Sequence, residues 1–252
     1  MARSTAARRP APAHLVPLTL AEPEGLAPHD IARSDGHDAS TVDEWGRDAR
    51  FVRALSPCAA IRWDVTVGGA EHIRPGGGLI VINTRRFALA PIFTALALSD
   101  KLGRPVRFVG RPDNVPFGPA LRRLGGLLAE PDEIAGALRA RELVVLGAAS
   151  TSNARQAGSL DPALIAPAIH EHGHVYVAAT QSSMLYRQAR VEVGHAMRVT
   201  STRRGPLAEV ELAEHAQHRL QVALDELGPM QRSLSWPGWG VLGTSGKNGE
   251  RS

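Results

Sequence analysis

Apolar positions along this chain follow two periods in turn, and the alternation sets the expected order of elements. Short runs rich in β-branched residues, at 60–67, 79–82, 106–109, 143–146, 175–179 and 191–193, read as strands. Between and after them, residues 92–102, 117–124, 131–140, 162–170 and 207–227 read as helices. Gly103 stops the first helix, and Pro131, Asp132 and Glu133 suit the first turn of the third. The last helix is the longest, with Leu207, Val210, Ala213, Leu220, Leu224 and Leu227 expected along one core-facing stripe. The wholly apolar run 79–82 reads as a buried strand. This alternation predicts an α/β domain with a mostly parallel sheet flanked by helices, and no internal repeat interrupts it.

The pattern fades at both ends. Residues 1–40 are rich in Ala, Pro, Arg and Asp without sustained periodicity, so a disordered N-terminal tail is expected. Pro10, Pro12 and Pro17 follow Arg8-Arg9 and argue against a signal peptide there. Residues 229–252 carry Trp236-Pro237-Gly238-Trp239-Gly240 and read as a flexible tail. Its two Trp either pack back on the domain or touch a membrane interface. A single domain over 41–228 with disordered termini is the expectation.

Composition narrows the classes. The chain is 43% hydrophobic and 21% charged, as globular proteins are, and no apolar run reaches the roughly 18 residues of a membrane span. The single Cys58 leaves no internal disulfide, fits a reducing compartment, and reads as a small buried hydrophobe. The net charge is +4, and of the 29 Lys and Arg only Lys101 and Lys247 are lysines. Arginine suits bidentate binding of phosphate or carboxylate, and equally an ordinary solvated surface.

Candidate chemistry gathers where the run 79–82 ends, at Asn83-Thr84-Arg85-Arg86. A strand delivering polar and cationic groups to a helix entrance is the usual setting for anion binding in α/β proteins. No His, Asp or Glu lies between His72 and Asp100, so this site has no evident base. His72 belongs to the preceding turn. Arg122 and Arg123, with Arg85 and Arg86, suggest a phosphate-binding rim to which one Arg of each pair contributes; surface salt bridges are the alternative. Ser150, Thr151 and Ser152 offer hydroxyls and backbone N–H groups at a strand–helix turn, or form a plain polar loop. His170-Glu171-His172-Gly173-His174 invites a metal reading, but it sits at a helix end without a supporting cluster, and no metal is expected. No helix-turn-helix, zinc-finger spacing or basic-aromatic repeat supports nucleic-acid binding. Gly76-Gly77-Gly78 precedes its strand, the wrong order for a dinucleotide loop, and reads as a turn.

Several segments follow one another in a recognisable order. They are Asp43-Glu44-Trp45-Gly46-Arg47-Asp48, Arg62-Trp63-Asp64-Val65-Thr66-Val67-Gly68-Gly69-Ala70-Glu71-His72-Ile73 and Pro75-Gly76-Gly77-Gly78-Leu79-Ile80-Val81-Ile82-Asn83. Phe108-Val109-Gly110, Val115-Pro116-Phe117-Gly118, Leu121-Arg122-Arg123-Leu124-Gly125-Gly126 and Glu142-Leu143-Val144-Val145-Leu146 come after. Across 42–199 this order resembles the phospholipid/glycerol acyltransferase family, which includes the 1-acylglycerol-3-phosphate acyltransferases. The resemblance implies a glycerolipid acyltransferase-like fold. It also implies acyl transfer from acyl-CoA or acyl-carrier protein to a lysophospholipid or other glycerolipid hydroxyl.

The family's first block is Asn-His with an acid five residues after the His, a general base and the carboxylate that orients it. Here the His position is Thr84 and the acid position Leu89, or Ala90 in the register of some relatives. The third block, Phe-Pro-Glu-Gly-Thr-Arg, is Gly147-Ala148-Ala149-Ser150-Thr151-Ser152, so Ala149 replaces the Glu and Ser152 the Arg, with Arg155 nearby. The Arg expected at the end of the second block falls at Glu130 or a neighbour, and the Pro of the fourth is missing from 175–179.

No catalytic set is intact at Thr84, Leu89 and Ala149. The expectation is a pseudoenzyme of bacterial phospholipid metabolism that binds a lipid or acyl donor through Asn83, Thr84, Arg85, Arg86, Arg122, Arg123, Ser150, Thr151 and Arg155. An active acyltransferase and a non-catalytic protein-interaction module stay open beside it. The implied setting is the cytoplasm, with peripheral contact at the inner face of the membrane, no cofactor beyond the acyl donor, and room for a protein partner.

Overall fold

Apolar runs with no polar face pair in the middle of a sheet, because only there are both faces covered. The computed structural model describes residues 42–62, 64–85, 89–110, 117–153, 155–183, 188–197 and 205–228. In it, Gly78–Ile82 (β2) lies between Leu143–Gly147 (β5) and His174–Ser183 (β6), and every β2 residue is buried. The sheet continues through Val106–Val109 (β3) to Gly126–Leu127 (β4) on one side. On the other it continues through Gln188–Val193 (β7) to Asp64–Gly68 (β1). The seven strands stand in the order β1-β7-β6-β2-β5-β3-β4, and every neighbouring pair is parallel except β6–β7.

Period-2 alternation divides the sheet's side chains between two cores. Leu79, Val81, Val144, Leu146, Val175 and Val177 face one core, closed by Pro131–Arg139 (α4), Pro162–His170 (α5) and Pro206–Leu227 (α6). Ile80, Ile82, Val145, Tyr176 and Ala178 face the other, covered by Ala90–Leu102 (α2), with Leu121 and Leu124 of Gly118–Arg123 (α3) and its C-cap at its margin. Gly103 ends α2 in the left-handed region, at φ 63°, and its N–H returns to Asp100 O. The architecture is the expected one: a mostly parallel sheet between two layers of helices.

Three local expectations change. The run 60–67 is not one strand: Ala49–Arg62 forms a helix (α1), and β1 begins at Asp64. Pro57 argues against a helix there, yet Asp48 starts one by accepting the N–H groups of Arg50 and Phe51 at 2.9 and 3.1 Å. On α6, Leu207 and Val210 are exposed, and Leu212 and Ala216 join Ala213, Leu220 and Leu224 in the core instead. The two-residue β4 and the polar end of β6, from Thr180 to Ser183, carry no periodic apolar signal and were not expected. The tails 1–40 and 229–252 with Trp236 and Trp239, the residues Arg86 and Phe87, and the side chain of Cys58 lie outside what the structure describes.

Candidate functional site

Parallel pairing places the C-terminal ends of β6, β2 and β5 side by side, so the residues that follow them meet at one edge. Asn83 continues β2 with its side chain. Its Nδ2 donates to Thr180 O at 2.9 Å, and its Oδ1 accepts the Thr180 N–H at 2.7 Å. The Thr180 hydroxyl closes the clamp on Asn83 O at 3.1 Å. Both residues are buried, so each satisfies the other's polar groups where water does not reach. The Asn83 amide therefore fixes the strand end.

Thr84 faces the opposite neighbour. Its buried Oγ1 donates to Ala148 O at 2.5 Å and lies 3.3 Å from the Ser150 hydroxyl. Its carbonyl accepts the Thr151 N–H at 3.1 Å, and Arg85 bridges Thr151 in parallel. Gly147 makes room for this: a Cβ there would lie 2.6 Å from Thr84 Cγ2 and 3.3 Å from Pro91 Cγ. None of the hydroxyl's hydrogen-bond partners is an imidazole or a carboxylate, so nothing bonded to Thr84 can take a proton from an acceptor alcohol near neutral pH. Leu89 is the N-cap of α2, 47% exposed and without a side-chain hydrogen bond. Ala90 is packed in the core. His72 precedes β2, where its Nδ1 bonds Val193 O at 2.8 Å.

The loop after β5 doubles back on itself. Ala149 N donates to Ser159 O at 2.8 Å, and a Cβ on Gly158 would sit 1.8 Å from Ala149 O, so only glycine allows this approach. The Thr151 hydroxyl donates to Asn153 O and Gln156 O at 2.7 and 3.2 Å, and the Arg155 N–H to Asn153 Oδ1 at 3.0 Å. From α6, Gln221 grips the loop's far side: its Nε2 donates to Arg155 O at 2.9 Å, and its Oε1 accepts the Ala157 N–H at 3.0 Å. Arg85 and Arg155 are exposed, and neither has a carboxylate partner among the described residues. Ser150 and Ser152 are exposed beside them.

Arg122 and Arg123 are held by carboxylates of this chain. Arg122 reaches Glu133 through both terminal nitrogens at 3.1 Å, while Glu133 also accepts the Leu128 N–H at 2.7 Å. Arg123 donates to Asp48 at 2.6 Å and lies 4.3 Å over the Phe51 ring. That bond first, and the Phe51 N–H second, hold the Asp48 carboxyl below the usual carboxylate range. Nearby, the buried Arg107 joins Glu142 at 2.7 Å and Asp43 at 2.6 Å. Burial opposes its charge, but Glu142 and then Asp43 more than offset that and push its pKa up. Arg47 beside it is pushed down, by burial first and by the Arg107 charge second. These pairs fasten the 42–48 segment to the sheet, and none of their members bonds Thr84, Arg85 or Ser150.

An open groove of about 510 Å³ lies elsewhere, between α4, α5 and the start of α6, with Pro131, Arg139, Ala166, His170 and Glu209 on its walls; no nominated residue lines it. The histidines of 170–174 disperse: His170 lies 3.5 Å from Glu209, while His174 meets Tyr176 edge-on. Among the described residues, no three His, Cys, Asp or Glu side chains are grouped as a metal site requires, and no helix is long and apolar enough to cross a membrane.

The structure thus brings Thr84, Arg85, Ser150 and Thr151 together, with Arg155 in the same loop, and sets Arg122 and Arg123 among other partners. Thr180 and Gln221, which position this edge, were not nominated. They lie 97 and 66 residues from the groups they hold, so no local pattern marks them.

No protein-family model and no curated protein matches this chain. Among solved structures it is similar to the crystal structure of the 1-acyl-sn-glycerophosphate (LPA) acyltransferase PlsC from Thermotoga maritima. The TM-score is 0.53 at 14% identity, over 72% of this chain and 80% of that one. At that identity the likeness establishes a shared fold.

Proposed function

We propose that this chain is an acyltransferase-fold protein of glycerophospholipid metabolism that binds a phosphate-bearing lipid or acyl donor and transfers acyl groups poorly or not at all. The observation that carries this reading is the setting of Thr84. Acyl transfer to an alcohol needs a group that takes the alcohol's proton as the new ester forms. Thr84 donates its only hydroxyl proton to the Ala148 carbonyl and has another hydroxyl as its second neighbour. It orients; it does not deprotonate. Leu89 and Ala149 supply no carboxylate in its place.

The ligand half of the proposal rests on Arg85 and Arg155, exposed cations without counter-ions among the described residues, and on the exposed hydroxyls of Ser150 and Ser152. Guanidinium forks and hydroxyls suit a phosphate monoester or diester. Lysophospholipids and the donors acyl-CoA and acyl-carrier protein all carry one. The structural likeness to an LPA acyltransferase supports the same ligand class. Such donors are cytoplasmic molecules, so the proposed place of action is the cytoplasm, at the inner face of the membrane.

Purified protein mixed with radiolabelled acyl-CoA and a panel of lysolipids decides between the readings. Label retained on the protein with transfer at background is the expected result. Arg85→Gln with Arg155→Gln lowers retention about tenfold, the scale of losing charge-assisted hydrogen bonds. Transfer well above background makes the protein an active acyltransferase. Retention of neither donor nor lysolipid, with a protein co-purifying, favours an interaction module.

A further inference from the structure

The outer face of α6 is unlike an ordinary solvated helix face. Leu207, Val210 and Val222 stand exposed on it at 55%, 39% and 38%, and they are half of the large hydrophobic side chains left exposed among the described residues. Exposed positions 207, 210, 211, 214, 218, 222 and 225 recur at helical spacing, so these apolar groups share one stripe with Glu214 and Asp225. The helix carries five acids to one Arg, in a chain whose net charge is +4.

The last turn of α6 is the sharper case. Free carbonyls give a helix C-terminus partial negative charge, and cations suit it. This turn has no basic residue and instead holds Asp225 and Glu226, both exposed. Asp225 accepts the neutral Gln221 amide at 3.1 Å. No Lys or Arg among the described residues pairs with either carboxylate. Two carboxylates on the negative end of a helix call for a cation.

The chain that follows carries one at short range. Gly228 caps α6 at φ 64°, and Arg232 stands four residues beyond it. Leu234, Trp236 and Trp239 come next, and residues 229–252 hold the cations Arg232, Lys247 and Arg251 to the single acidic side chain of Glu250. Reach is sufficient. Val210 lies 18 residues before Gly228, about 27 Å back along the helix axis. Trp239 lies 11 residues after it, at most about 40 Å of extended chain.

We propose that residues 229–242 fold back along the outer face of α6, with Arg232 at Asp225 and Glu226, Trp236 over Val222 and Trp239 toward Val210. Apolar surface on both sides leaves water, the cation answers the last-turn acids, and the short tether keeps the segment at high effective concentration. The docking needs no ligand at the strand ends.

Acrylamide quenching of tryptophan fluorescence in the full chain tests this. The signal of Trp236 and Trp239 is the difference between wild type and Trp236→Phe with Trp239→Phe. In wild type the two indoles are quenched several-fold less readily than free N-acetyltryptophanamide. Val210→Gln with Val222→Gln brings quenching up to that of the free compound. Both positions are exposed and glutamine is the better helix former, so far-UV circular dichroism stays unchanged. Arg232→Glu also uncovers the indoles, and adding Glu226→Arg protects them again, a rescue that loss of folding does not allow. Wild-type indoles as open to acrylamide as the free compound overturn the proposal. Protection that the α6 substitutions leave unchanged overturns it too, because the indoles then pack on another face. So does protection that falls on dilution, because the segment then sits on a second copy of the chain.

Discussion

Asn83 is the residue on which the site's geometry hangs. Its amide satisfies the N–H and C=O of the buried Thr180, so removing it orphans both. Asn83→Ala is expected to cost about 2–4 kcal/mol, a buried donor and acceptor each left unpaired. Asn83→Asp keeps an acceptor for the Thr180 N–H but sets a carboxylate oxygen against the Thr180 carbonyl, so it destabilises as well. Denaturant unfolding of the two variants against wild type measures this; two unchanged midpoints would mean that the clamp is idle. The sequence marked Asn83 as a strand-end polar group facing a ligand, because nothing nearby in the chain shows that its partner is Thr180. Thr84 was legible as a position without a base, since that judgement needs only the residue's own chemistry.

At the scale of elements, legibility follows how fully a segment is buried. The run 79–82 reads correctly because each residue answers to a core, whereas 60–67 merges the end of α1 with β1 because no apolar contrast separates them. The stripe on α6 drifts for a similar reason: Leu207 and Val210 fit a helical period, but the face that meets the core runs from Ala208 through Leu212, Ala216, Leu220 and Leu224. The start of α1 is set by a different force. Asp48 caps it while bonded to Arg123, and its carboxyl is held below the ordinary range. A carboxyl depressed on folding adds stability at every pH above its unfolded value, near about 4, and gives it up as pH falls through its folded value. Wild-type protein therefore loses stability below about pH 4 more steeply than Asp48→Asn, which keeps the cap and loses the titration. Melting temperatures from neutral pH down to 3 test this, with parallel curves counting against it.

Over the whole molecule, the candidate site is assembled from parts far apart in sequence. β2 provides Thr84, the loop past β5 the Ser150–Arg155 segment, and α6 the glutamine that holds that loop. Fold class was readable because alternation is a property of the whole chain. Assembly of the site was not, since it depends on which strands become neighbours. Gln221 gives the coupling a handle. Gln221→Ala frees the Arg155 carbonyl and the Ala157 N–H, and it is expected to weaken phosphate binding several-fold while lowering stability by about 1 kcal/mol. Gln221→Glu keeps an acceptor for Ala157 but sets a carboxylate oxygen against the Arg155 carbonyl and the Asp225 carboxylate, so it weakens both as well. Titration with glycerol phosphate, read beside thermal melts, separates the two effects; weaker binding only in proportion to lost stability would leave α6 without influence on the site.

The close fit of Gly147 against Thr84 bears on which side chains position 84 can hold. A Cβ at 147 would overlap the threonine methyl, and Pro91 closes the same space from α2. An imidazole at position 84 is larger than the hydroxyl and methyl it would replace, so the niche must widen before a base can enter. On the proposed reading, the widening, an acid at 89 and an acid at 149 each bring nothing until the others are present. On that reading, any gain of a base at this strand end passes through less stable forms with no added activity, and the packing of one glycine acts as a ratchet against it.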